Sequence, residues 1–178
     1  IALTGSTETG REVMGMAAAT IKKTTLELGG KSPTIVFKNA DLEAAVRGTL
    51  ATIFLNQGQM CVAGSRLLVD TSIHDEFLEA LVEKSRRIKL GNGLEPETAM
   101  GPLISAAHRD KVRGFIASGL NEGARLAAGG KVPEGKAFEK GFFLEPTIFD
   151  GVTKDMEIAR EEIFGPVLSV LSFETLDE

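Results

Sequence analysis

Pro33-Thr34-Ile35-Val36-Phe37, followed after three residues by Asp41-Leu42-Glu43-Ala44-Ala45-Val46, decides the fold class of this 178-residue chain. The first run is short and β-branched, as a strand is. The second opens with an acid placed to cap a helix and continues in good helix formers to about Leu55. The same order recurs upstream. Residues 1 to 4 read as a strand, and Gly5-Ser6-Thr7-Glu8-Thr9-Gly10 turns into a helix to about Thr20, with Val13, Met14 and Ala17 on one face. Thr24 to Leu28 reads as a short strand ending at Gly29-Gly30. Downstream, a strand is expected over Arg66 to Val69. Ser72 is expected to cap a helix to about Ile88 that buries Phe77, Leu78, Leu81 and Val82. A further helix is expected from Ser105 to about Asn121. Strands are expected over 124–128, 142–149 and 166–173, with a short helix over 157–161. Such alternation predicts an α/β fold with largely parallel pairing.

Composition narrows the function. Hydrophobic residues make up 43% and charged residues 25%, which suits a globular chain with a sizeable core. The net charge is −5 and no basic stripe interleaves with aromatics, so nucleic acid is not an expected partner. No apolar run reaches the ~18 residues needed to span a bilayer, so no membrane partner is expected either. One cysteine cannot form an internal disulfide, and no leader-like segment is visible. These features favour a reducing, cytoplasmic setting. The opening Ile1-Ala2-Leu3-Thr4 reads as a strand already under way, and the last six residues as a helix about to begin. A piece of a longer polypeptide is expected.

That single cysteine, Cys61, lies in Asn56-Gln57-Gly58-Gln59-Met60-Cys61. Glycine and side-chain amides make a polar, bendable approach where a thiol can face a ligand. A lone cysteine is nevertheless more often an inert buried residue than a nucleophile. Gly5-Ser6-Thr7-Glu8-Thr9-Gly10 is similarly double-edged. It presents backbone N–H groups at a positive helix end, which suits a pyrophosphate, and it equally suits an ordinary turn capped by Ser6 or Thr7. It matches neither the G-x-G-x-x-G fingerprint nor a Walker loop. Glu27 stands between two leucines. Desolvation there would raise its pKa toward the range of a general base, unless the strand is an edge and Glu27 faces water. His74 and His108 read as solvated positions, so the helper of a nucleophilic Cys61 would be a carboxylate. With so few ligating residues, a metal site is not expected. Glu161-Glu162-Ile163-Phe164-Gly165-Pro166-Val167 reads as a helix end and turn with Phe164 in the core.

Read together, these segments resemble the aldehyde dehydrogenase superfamily. The resemblance rests on Thr4–Gly10, Leu26-Glu27-Leu28-Gly29-Gly30-Lys31-Ser32-Pro33, Gly58–Arg66, Gly101-Pro102-Leu103-Ile104 and Glu161–Val167, in the family's order and at about its spacing. It covers essentially the whole chain. The fold it implies is three-layered, an open and mostly parallel sheet with helices on both faces. Residues 1–25 would be the last strand–helix unit of a cofactor domain and 26–178 most of a catalytic domain. The chain also looks broadly similar to betaine-aldehyde dehydrogenase-like members.

The resemblance implies roles as well. Cys61 would attack an aldehyde carbonyl, with its own N–H in the oxyanion hole, and Glu27 would activate the water that hydrolyses the thioester. Gly5, Ser6, Gly10, Leu28, Gly29, Glu162 and Phe164 would contact NAD or NADP. Met60 and Val62 would line an aldehyde channel. The full-length protein would be a homo-oligomer, a dimer or tetramer. The residues that read the adenosine ribose, and the asparagine completing the oxyanion hole, would lie outside this sequence. The isolated chain is therefore expected to be inert or nearly so, since one such donor is worth about 10²–10³ in rate. Exposed apolar surface should make it self-associate. Cofactor-independent thiol hydrolysis through Cys61, or a non-catalytic fragment, are the competing expectations.

Overall fold

The computed structural model describes residues 1–178 and divides them into two compact units, Ile1–Gly30 and Lys31–Glu178. The strand after the first helix pairs backward and so joins the first unit. In the first unit, β1 (Ala2–Thr4) and β2 (Thr25–Glu27) run parallel, with Leu3 opposite Leu26, and α1 (Thr7–Ala18) connects them. Ser6 caps α1 by accepting from the Thr9 N–H at 3.2 Å. Gly10 and Ala17 are the buried residues of α1 and Val13 is half-buried, so the expected face holds except at Met14, which stays 53% exposed.

The second unit carries a five-stranded sheet in the order β3-β4-β7-β6-β5. Its elements are β3 (Pro33–Val36), α2 (Leu42–Phe54), β4 (Arg66–Asp70), α3 (His74–Ser85), α4 (Ala106–Asn121), β5 (Arg125–Ala128), β6 (Thr147–Asp150), α5 (Glu157–Arg160) and β7 (Val167–Phe173). Every pairing is parallel except β5 with β6. Successive strand residues point to opposite faces, so β7 feeds two cores. Leu168 and Val170 join Val46, Ile53, Phe77 and Leu81 of α2 and α3, while Val167 joins Val112, Ile116 and Ile158 of α4 and α5. Helices thus cover both faces of an open sheet, the three-layer α/β arrangement. No helix is long and apolar enough to cross a membrane.

Two expected elements differ. The strand expected over 142–149 is only Thr147–Asp150, because Pro146 has no N–H to give a ladder. Phe142 makes only an isolated bridge, its carbonyl accepting from the Leu103 N–H at 3.0 Å. Ser72 does not cap α3. Asp70 accepts from the Ser72 N–H at 3.0 Å and hydroxyl at 2.6 Å, capping a short 3₁₀ turn that runs into α3 at His74. The Ser72 hydroxyl and N–H lower the Asp70 pKa.

Candidate active site

Residues 55 to 63 form an unusual approach to Cys61. α2 ends at Phe54, and Asn56, Gln57 and Gly58 then adopt left-handed backbone with φ of 50°, 59° and 69°. Side chains other than glycine visit this region singly and at a cost of about 1–2 kcal/mol each. The turn is held by the Gln59 N–H donating to the Asn56 carbonyl and the Asn56 amide donating to the Gln59 carbonyl, both at 3.0 Å. Gln59 also accepts from the Ile104 N–H at 3.1 Å, which ties in Gly101-Pro102-Leu103-Ile104. The Ala63 N–H then bonds the Met60 carbonyl at 3.1 Å, placing Cys61 and Val62 at the corners of a turn. Cys61 is a free, exposed thiol, Val62 is 66% exposed and Met60 is half-buried. The Cys61 N–H lies outside the turn's hydrogen bond, so thiol and donor sit on one residue. The inert buried cysteine is not what the fold builds.

A second loop meets this approach. A Cβ on Gly58 would lie 2.2 Å from the Gly165 carbonyl oxygen, so only a hydrogen fits there. Beside it, Phe164 is 38% exposed and holds φ of +56°, an outlier for a bulky residue. Phe164 is therefore not in the core, contrary to the reading of its segment by pattern alone. Ile163 takes the buried place, and Glu162 is half-buried. Lys31 and Arg66 lie close by in charge. Arg66 donates to the Lys31 carbonyl at 2.5 Å, and the Lys31 ammonium is buried without a hydrogen-bond partner. Burial first, and Arg66 second, push the Lys31 pKa down to about 8 against the pull of Glu162 and Glu161.

The histidines are not solvated. His74 bonds Asp75 at 2.9 Å and Asp150 at 2.7 Å, and His108 bonds the Phe164 carbonyl at 2.6 Å. Desolvation lowers the His74 pKa, but hydrogen bonds to Asp75 and Asp150 and their charges outweigh it and leave the group raised. No group of three or more His, Cys, Asp or Glu stands together as a metal site.

In the first unit, the turn residues come together with the end of β2. The Gly5 N–H donates to the Glu27 carbonyl at 3.0 Å, and Gly10 packs so tightly on Leu28 that a Cβ would meet it at 2.7 Å. Ser6 takes the cap, leaving the N–H groups of Thr7 and Glu8 without acceptors inside the helix. Those donors at a positive helix end suit the pyrophosphate of a dinucleotide. Glu27 is exposed and Leu28 and Gly29 half-buried, so of the two readings of Glu27 the water-facing one is seen.

The aldehyde dehydrogenase family model matches residues 1–178, the full chain. The chain belongs to the aldehyde dehydrogenase family. It is 54% identical over its whole length to a betaine aldehyde dehydrogenase of Bacillus subtilis and 53% to one of Mesorhizobium japonicum. It covers only 36% and 37% of those proteins, so it spans little more than a third of the relatives it matches. Among solved structures, a Staphylococcus aureus betaine aldehyde dehydrogenase in complex with NAD+ superposes with a TM-score of 0.97 at 45% identity. That match covers 99% of this chain and 35% of the other. An aldehyde dehydrogenase from Bacillus cereus, an E-to-S point mutant, gives 0.94 at 48% identity, with the same two coverages.

Sequence reasoning missed the left-handed turn, the buried Lys31–Arg66 pair and both histidine partners. Asn-Gln-Gly at 56–58 was the one available signal, since Asn and Gly tolerate positive φ.

Proposed function

We propose that the full-length protein carrying this sequence oxidises an aldehyde to a carboxylic acid with a nicotinamide cofactor. The observation that carries the reading is the exposed Cys61 thiol at the corner of a strained, anchored turn. The family match over all 178 residues supports it. The Cys61 sulfur bonds the carbonyl carbon, and the carbonyl oxygen becomes an oxyanion facing the Cys61 N–H. Gly5, Ser6 and Gly10 would hold the pyrophosphate of NAD, Leu28 and Gly29 would border its nicotinamide, and Glu162 and Phe164 would hold the nicotinamide ribose and ring. Bound there, NAD supplies the acceptor for the hydride that the aldehyde carbon gives up. The thioester left on Cys61 is opened by water that Glu27 deprotonates. The carbon–sulfur bond breaks, returning thiolate and releasing acid. The NAD+ complexes among similar structures favour NAD over NADP.

The substrate reading is an aldehyde carrying a quaternary ammonium group, betaine aldehyde first. It is supported by the relatives' names at 53–54% identity, and Met60 and Val62 are proposed as its lining. The full-length protein is read as a homo-oligomer, and residues 1–25 and 26–178 as pieces of its cofactor and catalytic domains.

The test is alkylation of Cys61 by iodoacetamide against pH, followed by mass spectrometry, in wild type and Glu27→Gln, with NAD-dependent oxidation of betaine aldehyde assayed in parallel. Alkylation faster than a free thiol below pH 8, slowed in the variant, together with NADH formation, is the expected result. An ordinary thiol rate indifferent to Glu27, with no NADH, sinks the reading. Ester hydrolysis without any cofactor-dependent oxidation would instead favour a thiol hydrolase.

A further inference from the structure

We propose that His108 is a positioning residue for the nicotinamide end of the cofactor site, acting by pinning Phe164. The inference rests on the proposed role of Phe164 as the ring that faces the nicotinamide. Phe164 holds a backbone conformation, φ +56°, that a bulky side chain does not keep unaided. What holds it is the first turn of α4. Ser105 caps that helix by accepting from the His108 N–H at 3.1 Å, which fixes the backbone of His108. From there the His108 Nε2 donates to the Phe164 carbonyl at 2.6 Å. A carbonyl only accepts, so Nε2 carries the proton, as it does both in the matching neutral tautomer and in the imidazolium.

The imidazole also meets the Phe164 ring edge-on, with centroids 6.0 Å apart and planes at 69°. One histidine therefore contacts both the backbone and the side chain of the residue it restrains. One turn further along α4, Val112 packs against Gly165, where a Cβ would come within 2.7 Å of it. Gly165 in turn abuts Gly58 of the cysteine approach. Helix α4 thus fixes residues 164 and 165 together, and the His108 bond sets which way the Phe164 ring faces.

The test uses the full-length protein with His108→Leu, His108→Phe and His108→Gln. Leucine removes donor and ring, phenylalanine keeps a ring without a donor, and glutamine places an amide N–H near the Nε2 position. Loss of one well-placed hydrogen bond corresponds to about a tenfold effect. In His108→Leu we expect KM for NAD to rise about tenfold and kcat to fall, while inhibition by ADP-ribose, which lacks nicotinamide, stays within about twofold. Ester hydrolysis by Cys61 without cofactor should be unchanged. His108→Gln should restore most of the loss, and His108→Phe should resemble leucine. Independently of NAD, chymotrypsin should cut the Phe164–Gly165 bond faster in His108→Leu than in wild type.

Normal KM and kcat in His108→Leu, in an active wild type, overturn the proposal. So does a parallel loss of ADP-ribose binding and ester hydrolysis, which would mark a general folding role. Unchanged cleavage at Phe164 overturns the pinning itself. A wild type with no NAD-dependent aldehyde oxidation overturns the underlying reading and this role with it, and is distinguished from the other failures by that wild-type result.

Discussion

Replacing Gly58 with alanine should cost several kcal/mol, although the change adds one methyl group. The added Cβ would stand 2.2 Å from the Gly165 carbonyl oxygen, 2.6 Å from its carbon and 3.0 Å from the Ile53 carbonyl oxygen. All three are backbone atoms, so no flexible side chain can yield. Holding φ at +69° with a Cβ costs about 1–2 kcal/mol. Forcing the loops apart adds about 1–3 kcal/mol, as overpacking does. The sum, about 2–5 kcal/mol, is a large share of a typical stability of about 5–15 kcal/mol. Gly114→Ala is the control, because a Cβ there meets nothing within 4 Å in the middle of α4. That change should stabilise by about 0.5–1 kcal/mol. Urea denaturation of both variants measures the difference, and Cys61 alkylation reports whether the thiol's loop has moved. A Gly58→Ala protein within about 0.5 kcal/mol of wild type would refute the reasoning, as would equal destabilisation by Gly114→Ala.

The remaining predictions concern charge and surface. His74 has a raised pKa in the fold, so its stabilising contribution is fully present below its unfolded value of about 6.5 and is lost as pH rises through the folded value. The stability difference between wild type and His74→Gln should therefore shrink from pH 6 upward through that window. A difference that grows with pH in urea titrations would contradict the linkage. Asp150, 5% exposed and bonded to both His74 and Arg125, should carry most of the effect, and the fully exposed Asp75 little. The isolated 178-residue chain exposes Met16, Leu55, Val62 and Ile104, and should self-associate in sizing chromatography. A sharp monomer at high concentration would count against that.

Much of the α/β order was legible because strands and helices announce themselves locally. Pro33 to Val36 is β-branched, and Asp41 caps α2 as its position suggests, accepting from the Ala44 N–H at 2.8 Å. The failures were of longer range. His74 and His108 look solvated in sequence because their partners, Asp150 and Phe164, lie 76 and 56 residues away. Phe164 reads as core because phenylalanine is among the residues most often buried. Its left-handed backbone, which turns it outward, depends on α4. The polar approach to Cys61 hinted at its exposure, but the left-handed turn that produces it is not encoded in spacing. Glu27 between leucines was ambiguous for the opposite reason, because alternation along β2 turns Leu26 inward and leaves Glu27 exposed.

The position of β7 in the sheet has a kinetic consequence. It follows the other four strands in sequence, yet it lies between β4 and β6 and joins them. Val69 pairs with Ser172, so β4 waits through roughly a hundred residues of synthesis, about 5–20 s at typical ribosomal rates, before its neighbour exists. Until then β4 offers an unpaired edge, although α2 and α3 are already made and can cover the apolar face it shares with β3. Nascent chains stalled just before residue 167 should be the species that chaperones bind most strongly.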